Sequence, residues 1–262
     1  MRFALSVPPF DELADAALLA DMAHDAERAG WDGFFLWDHI LRREGVRPIA
    51  DPWIALAAIA MRTSTLRIGP MITPIVRRRP QKLARECITL DHLSGGRLVL
   101  GSGLGVDTGR ELSAFDEITD ERERAAVLDE GLDLLCALWS GDEVVHYGRY
   151  FTADHVAYLP TPVQRPRVPI WLAARQGKLT PARRAARFDG LVPIETDPDG
   201  VARQLAVIRE LRGTLDGFDV ALMGEPGEDP EPFRAVGGTW WMVSVDSTVS
   251  AIRGVIAAGP PT

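Results

Sequence analysis

Cysteine is scarce: Cys87 and Cys136 are the two in 262 residues. Both sit among apolar residues in helical stretches, so they read as buried, reduced thiols and exclude a disulfide scaffold. No C-x-x-C pair and no Cys/His cluster marks a metal site. Long apolar runs are lacking as well. Uncharged stretches such as Pro52 to Met61 fall far short of the ~20 residues a membrane helix needs. The opening MRFALSVPPFDE turns acidic too soon for a signal peptide, and a cytoplasmic location is expected. Positive charge is in deficit, with 29 Lys and Arg against 37 Asp and Glu and a net charge of -8. The one basic cluster, Arg77-Arg78-Arg79, ends at once on Pro80. These features argue against nucleic acid and membrane as partners and leave a small-molecule substrate.

What is present is a rhythm. The apolar run RFALSV (2–7) stops at Pro8-Pro9, and Asp11 is read as the cap of a helix running to Ala29, with Gly30 as its stop. GFFLW follows as a second strand. Asp51-Pro52 is a cap plus first-turn proline for a helix carrying Trp53, Leu56, Ala57 and Ala60 on one face. LRIGPMIT (66–73) is the third strand, Pro80 opens the next helix, and GRLVLGSG (96–103) is the fourth strand. Phe3, Phe34, Arg67 and Leu98 stand about 31, 33 and 31 residues apart, the spacing of successive βα units.

Asp120 with Glu123 resembles a capping box ahead of a helix with Leu128, Leu132, Leu135 and Trp139 on its apolar face. Residues 141–167 then break the rhythm as a hairpin and a proline-rich loop. Strands resume at 168–174, 190–194, 218–224 and 239–245, with helices near 180–188, 198–212, 230–236 and 248–257. Eight strand candidates alternating with helices imply an α/β fold. The reading is a (β/α)8 TIM barrel, one domain over 1–262, with an excursion before strand five. An open doubly wound sheet would normally use fewer strands.

In a barrel the strand C-termini converge on one mouth, where sites are built. Asp38-His39 ends strand two, TPI follows strand three, GSGLG ends strand four and AARQGK follows strand five. Gly101, Gly103 and Gly105 do not complete a dinucleotide fingerprint, because position 106 is Val106. They are read as letting a flat ring approach the backbone. Arg175, the amides near Gly177, Lys178 and Thr180 precede a helix with Pro181 in its first turn, a candidate anion site or a solvated basic helix. His24 and His92 are read as surface or structural, while His146 and His155 could line the mouth. Ser102 lies in G-S-G and makes no nucleophile elbow.

GFFLWDHI, the stretch from DPWIALAAIAMRTSTLRIGPMITPIVRRRPQKLARECITLDHLSGGRLVLGSGLG, PVQRPRVPIWLAA and GGTWWMVSV together resemble the bacterial luciferase-like flavin-dependent oxidoreductases. The resemblance implies a (β/α)8 barrel that binds FMN or the deazaflavin coenzyme F-420 and transfers a hydride to, or oxygenates, a small organic substrate. It implies a non-prolyl cis peptide near Pro70-Met71, with Pro70, Met71, Ile72 and Thr73 behind the ring and Ser102 and Gly103 beside it. Ala173, Ala174, Arg175 and Gly177 match the region receiving the cofactor phosphate. Asp38 is expected to orient His39, and His39 to move a proton as the hydride moves. A homodimer through the helices after strands two and three is also implied.

Two departures count against a sugar-phosphate substrate: Arg43 stands where such relatives carry Trp, and Val106, beside Asp107, stands where they carry an acid. A flavin-binding barrel without turnover, and a lyase or isomerase with no redox cofactor, are the alternatives.

Overall fold

Short apolar runs, each followed by a capped amphipathic helix, leave the backbone of every strand to be paired by a neighbour. In this chain the pairing closes on itself. The computed structural model describes residues 1–42 and 47–261. Its strands are β1 (Arg2–Val7), β2 (Gly33–Leu36), β3 (Arg67–Pro70), β4 (Thr73–Pro74), β5 (Leu100–Gly103), β6 (Val144–Tyr147), β7 (Thr152–Val156), β8 (Ile170–Arg175), β9 (Gly190–Ile194), β10 (Asp219–Gly224) and β11 (Trp240–Ser244). The helices are α1 (Ala16–Arg28), α2 (Pro52–Arg62), α3 (Pro80–Ser94), α4 (Glu121–Leu138), α5 (Leu179–Ala185), α6 (Pro198–Arg212), α7 (Glu231–Ala235) and α8 (Val249–Ala258).

Nine parallel segments run in the order β3-β2-β1-β11-β10-β9-β8-β5-β4. Only Met71 and Ile72 separate β3 from β4, and the peptide bond between those two residues is cis. The two ends of the order are therefore one interrupted strand, and Ile68 bridges to Leu98 just ahead of β5. The ring closes as eight strands, and the (β/α)8 reading holds. The cis bond falls one residue beyond the Pro70-Met71 position implied by the family pattern.

Alternation along the strands divides the core into two layers. Ala4, Phe35, Val99, Trp171, Val192, Ala221, Trp240 and Met242 fill the barrel interior. Phe35, Trp171 and Trp240 pack with centroids 5.6, 6.0 and 5.5 Å apart. The other layer, including Leu5, Phe34, Ile68, Ile170 and Leu191, meets the helices. The interior is a packed plug rather than a channel, so ligand space in the barrel lies above it.

The excursion is an antiparallel hairpin, β6–β7, and two carboxylates hold its connections. Glu130 accepts from the amides of Tyr150 and Phe151 at 3.0 and 2.7 Å. Buried Asp91 accepts from those of Val163 and Gln164 at 2.7 and 3.0 Å. Among the described residues, no helix is long and apolar enough to cross a membrane.

Several local expectations need correction. Asp11 does not cap α1: it opens a one-turn 3-10 helix (Asp11–Leu13), and its carboxylate binds Arg47 and Ser247. Asp15 is the cap, accepting from Ala17 and Leu18 N–H at 2.8 and 3.2 Å. The Asp120–Glu123 box is half formed. Asp120 accepts from Glu123 N–H at 2.8 Å, but the Glu123 carboxylate turns to Arg149. Asp51-Pro52 does cap α2, with Ile54 N–H donating at 3.0 Å.

Candidate active site

The C-terminal ends of β2, β4, β5 and β8 surround a cavity of about 560 Å³ lined by Trp37, His39, Met71, Ile72, Gly103 and Ala173 among others. Residues 39, 71 and 173 thus share one rim. Period-two alternation explains who faces in. Ala173 lines the cavity, whereas Ala174 is fully buried in the layer beneath the helices. Met71 and Ile72 face in because they form the break between β3 and β4.

Asp38 and His39 are neighbours in sequence, yet they belong to different networks. The Asp38 side chain is 0% exposed. Its carboxylate accepts from Thr73 Oγ1 at 2.7 Å, Trp53 Nε1 at 3.3 Å, Arg77 at 3.1 Å and Arg78 at 3.0 Å. Four donors converging on one buried carboxylate make a rigid knot that ties β2, β4 and α2 together below the rim. Asp38 does not orient His39, contrary to the sequence expectation.

Glu111 does. His39 Nδ1 lies 2.9 Å from Glu111 Oε2, and Glu111 Oε1 accepts from the amides of Ile40 and Leu41 at 2.6 and 3.1 Å. Burial pushes the Glu111 carboxyl up, but the bonds from His39 and Leu41 outweigh it and hold it below the usual range. An ionised carboxylate can only accept, so Nδ1 carries the proton in this hydrogen bond. The His39 ring sits edge-on to Phe10, with its centroid 5.8 Å away, and beside Trp37 at 6.1 Å. Glu111 was not foreseen. Asp107, next to the position where an acid was sought, instead caps the amides of Leu112 and Ser113 at 2.8 and 3.1 Å.

The cations of the rim divide into engaged and free. Arg175 pairs with Glu195, Lys178 with Glu121 at 3.4 Å, and Arg184 with Asp129 through two bonds of 2.6 and 3.0 Å. Arg124, on the first turns of α4, is 8% exposed and lines the same cavity. It has no side-chain hydrogen bond or ion pair among the described residues, and its Nε is buried without a partner. A buried guanidinium in that state carries an unmet desolvation cost, which an anion entering the cavity would offset. Nothing in the sequence marked Arg124, because its neighbours read only as helix surface.

The other expected residues separate by position. Pro70, Thr73, Ser102, Ala174 and Gly177 do not line the cavity. Thr73 and Ser102 serve the framework through Asp38 and the Thr73 carbonyl, the latter at 3.3 Å. A Cβ on Gly101 would lie 2.3 Å from the Pro70 carbonyl oxygen and 2.6 Å from Met71 Sδ, so that glycine serves strand packing rather than a ring. Gly103 is at the cavity floor, where a Cβ would meet Ala173 Cβ at 3.2 Å. His146 and His155 stay on the hairpin, beside Glu130 and Glu143. Arg43 lies outside the described residues. No cluster of three or more His, Cys, Asp or Glu suited to a metal occurs among the described residues.

A second cavity, of about 640 Å³, adjoins the first over β1, β10 and β11 and shares Trp37, Arg42, Ile194, Glu195 and Met223 with it. Its outer edge carries Glu225, Glu228 and Asp246.

The family model described as luciferase-like monooxygenase matches residues 1–227. The chain belongs to the luciferase-like monooxygenase family. Within it, an F420-dependent glucose-6-phosphate dehydrogenase of Beutenbergia cavernae is 33% identical over 240 residues, 85% of this chain and 68% of the relative. The Nakamurella multipartita protein of the same name is 34% identical over 160 residues, 60% of this chain and 46% of that one. An F420-dependent hydroxymycolic acid dehydrogenase of Mycobacterium tuberculosis is 34% identical over 160 residues, covering 58% and 42%. The chain thus spans about half the length of several curated relatives that it matches. Among solved structures, an F420-dependent secondary alcohol dehydrogenase aligns with a TM-score of 0.80 at 18% identity over 93% and 92% of the two chains. The monooxygenase RslO1 of Streptomyces bottropensis aligns at 0.78 and 22% over 98% and 97%. These likenesses establish the luciferase-like barrel fold.

Proposed function

We propose that the chain is an oxidoreductase working with the deazaflavin F420 or with FMN on a small organic substrate, with His39 as the proton-moving residue. One juxtaposition carries this reading: a carboxylate-held imidazole and an unpaired, buried guanidinium line the same cavity. The residues present fit such a cofactor. The orphan Nε of Arg124 calls for an oxyanion, and a phosphate would meet it with charge-assisted hydrogen bonds. Met71, Ile72, Gly103 and Ala173 offer a shallow apolar floor for a flat ring, with Arg175 at its edge. When bound, the flavin or deazaflavin supplies the hydride chemistry, or with reduced FMN the reaction with oxygen.

The protein's own part follows from its geometry. Glu111 fixes the His39 ring and places the Nδ1 proton, so Nε2 takes the proton of a substrate hydroxyl or returns it to a carbonyl oxygen. Asp38 is a positioning residue that stiffens the strand end beneath His39. The names of the relatives, several of them F420-dependent dehydrogenases, support deazaflavin hydride transfer over monooxygenation. Parallel fluorescence titrations with F420 and FMN, followed by a substrate panel, test the reading. Saturable binding with turnover is expected, and tight binding without turnover would favour a non-catalytic flavin-binding barrel.

A homodimer and a cytoplasmic setting belong to the same proposal. On α2, Ile54 and Met61 are 68% and 71% exposed, and Ala57 and Ala58 lie between them, so this helix is apolar on both faces. Ile54→Glu with Met61→Glu should give a monomer by light scattering; a wild-type monomer would remove the dimer.

A further inference from the structure

Of the cations lining the two cavities, Arg42 is the second, besides Arg124, with no ion pair or side-chain hydrogen bond among the described residues, although Asp11 is close enough to feel its charge. Arg47, its neighbour in the second cavity, is engaged by Asp11. Arg42 instead lies over aromatic faces, its Cζ 5.2 Å from the Phe10 ring centroid and 5.9 Å from that of Trp37. Those two rings also flank His39. This partly buried guanidinium, steered by two rings, has no hydrogen-bond acceptor among the described residues. It borders both cavities, whereas Arg124 borders only the first.

We propose that Arg42 is a specificity residue that binds the carboxylate of a monoanionic hydroxy or oxo acid, whose alcohol or carbonyl carbon is thereby presented to His39. This rests on the oxidoreductase reading above. The charge map narrows the class. One free guanidinium matches one carboxylate, and its planar fork suits that group. Along the second cavity Arg42 and the Asp11-engaged Arg47 stand against Glu195, Glu225, Glu228 and Asp246, a surplus of acid that repels a phosphate dianion more than a monoanion. A sugar phosphate is therefore disfavoured on charge, independently of residue 43. A neutral alcohol would leave Arg42 unmatched.

The test compares three probes of similar size on the F420-loaded protein: 2-hydroxyhexanoate, 2-hexanol and glucose 6-phosphate. Calorimetry gives binding, and cofactor absorbance gives rates. Wild type should bind the hydroxy acid tightest. Arg42→Gln, and Arg42→Lys as a milder variant that keeps the stem, should weaken the acid by about 10- to 100-fold, the worth of a charge-assisted hydrogen bond. 2-Hexanol binding should stay unchanged, and the loss should fall in KM rather than kcat. Equal losses for acid and alcohol, no loss for the acid, or tighter binding of glucose 6-phosphate in wild type would overturn the proposal. F420 binding is measured first on wild type, so a failure of the cofactor reading is seen separately.

Discussion

The two ends of the barrel mouth are built from different strand termini of one ring and carry different side chains. On the first turns of α4, a buried arginine lines the cavity with no ion pair or side-chain hydrogen bond among the described residues. Across the mouth, over β1, β10 and β11, the lining is aromatic and the rim acidic, with Arg42 resting on rings. His39 sits between, clamped by Glu111. The mouth is therefore polarised before any ligand arrives, and under the proposed function the strongly anionic part of a bound pair belongs at the α4 end and the reacting carbon beside His39. Protein dipoles and charges fixed before binding cost nothing to reorganise during reaction.

The comparison breaks most sharply if His39 is removed. His39→Asn should cut turnover by about 10²- to 10⁴-fold, the usual worth of a positioned acid–base group. Cofactor affinity should change little, as separate titrations would report; unchanged turnover would take His39 out of the mechanism.

Next in size is the α4 end. Arg124→Ala should weaken F420 or FMN binding by about 10- to 100-fold, as expected for charged hydrogen bonds to a phosphate. Riboflavin, which lacks the phosphate, should be almost insensitive to the change. Equal losses for FMN and riboflavin would mean that the arginine acts through the fold.

Glu111→Gln should lower kcat while leaving cofactor binding intact, because the amide no longer fixes the imidazole tautomer. It also has a pH signature. Glu111 is held below the usual carboxylate range in the folded protein, so its stabilising contribution is complete above that range and is lost as pH falls through the lowered value. Wild type and Glu111→Gln should therefore differ in thermal midpoint near neutrality and converge in acid. Parallel curves would contradict the assignment.

The smallest effect is expected at Arg175. It already pairs with Glu195 at a solvent-exposed edge, and exposed pairs are worth about 0–1 kcal/mol. Arg175→Ala should change cofactor affinity by no more than about fivefold by that measure. A loss exceeding that of Arg124→Ala would move the phosphate to the β8 end.

Much of the fold was legible because it is written in local signals. Apolar runs such as GLVPI, and caps such as Asp51-Pro52, act over a few residues, and β9 and α6 fall where those signals put them. Asp11 misled because the local pattern offers two aspartates near one helix start. The distant partners Arg47 and Ser247 decide between them. The site was legible only in outline. Asp38-His39 could be read at a strand end, but which side chain held the imidazole could not. Glu111 is 72 residues away and reaches His39 only through the loop after β5. Arg124 was invisible for the converse reason: a missing partner is a property of the packed state.

Whether the barrel mouth takes up the cofactor is the decisive question. F420 and FMN titrated in parallel into wild type and Arg124→Ala, followed by fluorescence, should show saturable binding of at least one by wild type and a marked loss in the variant. Wild-type protein that binds neither, at concentrations where it is folded, would contradict the account.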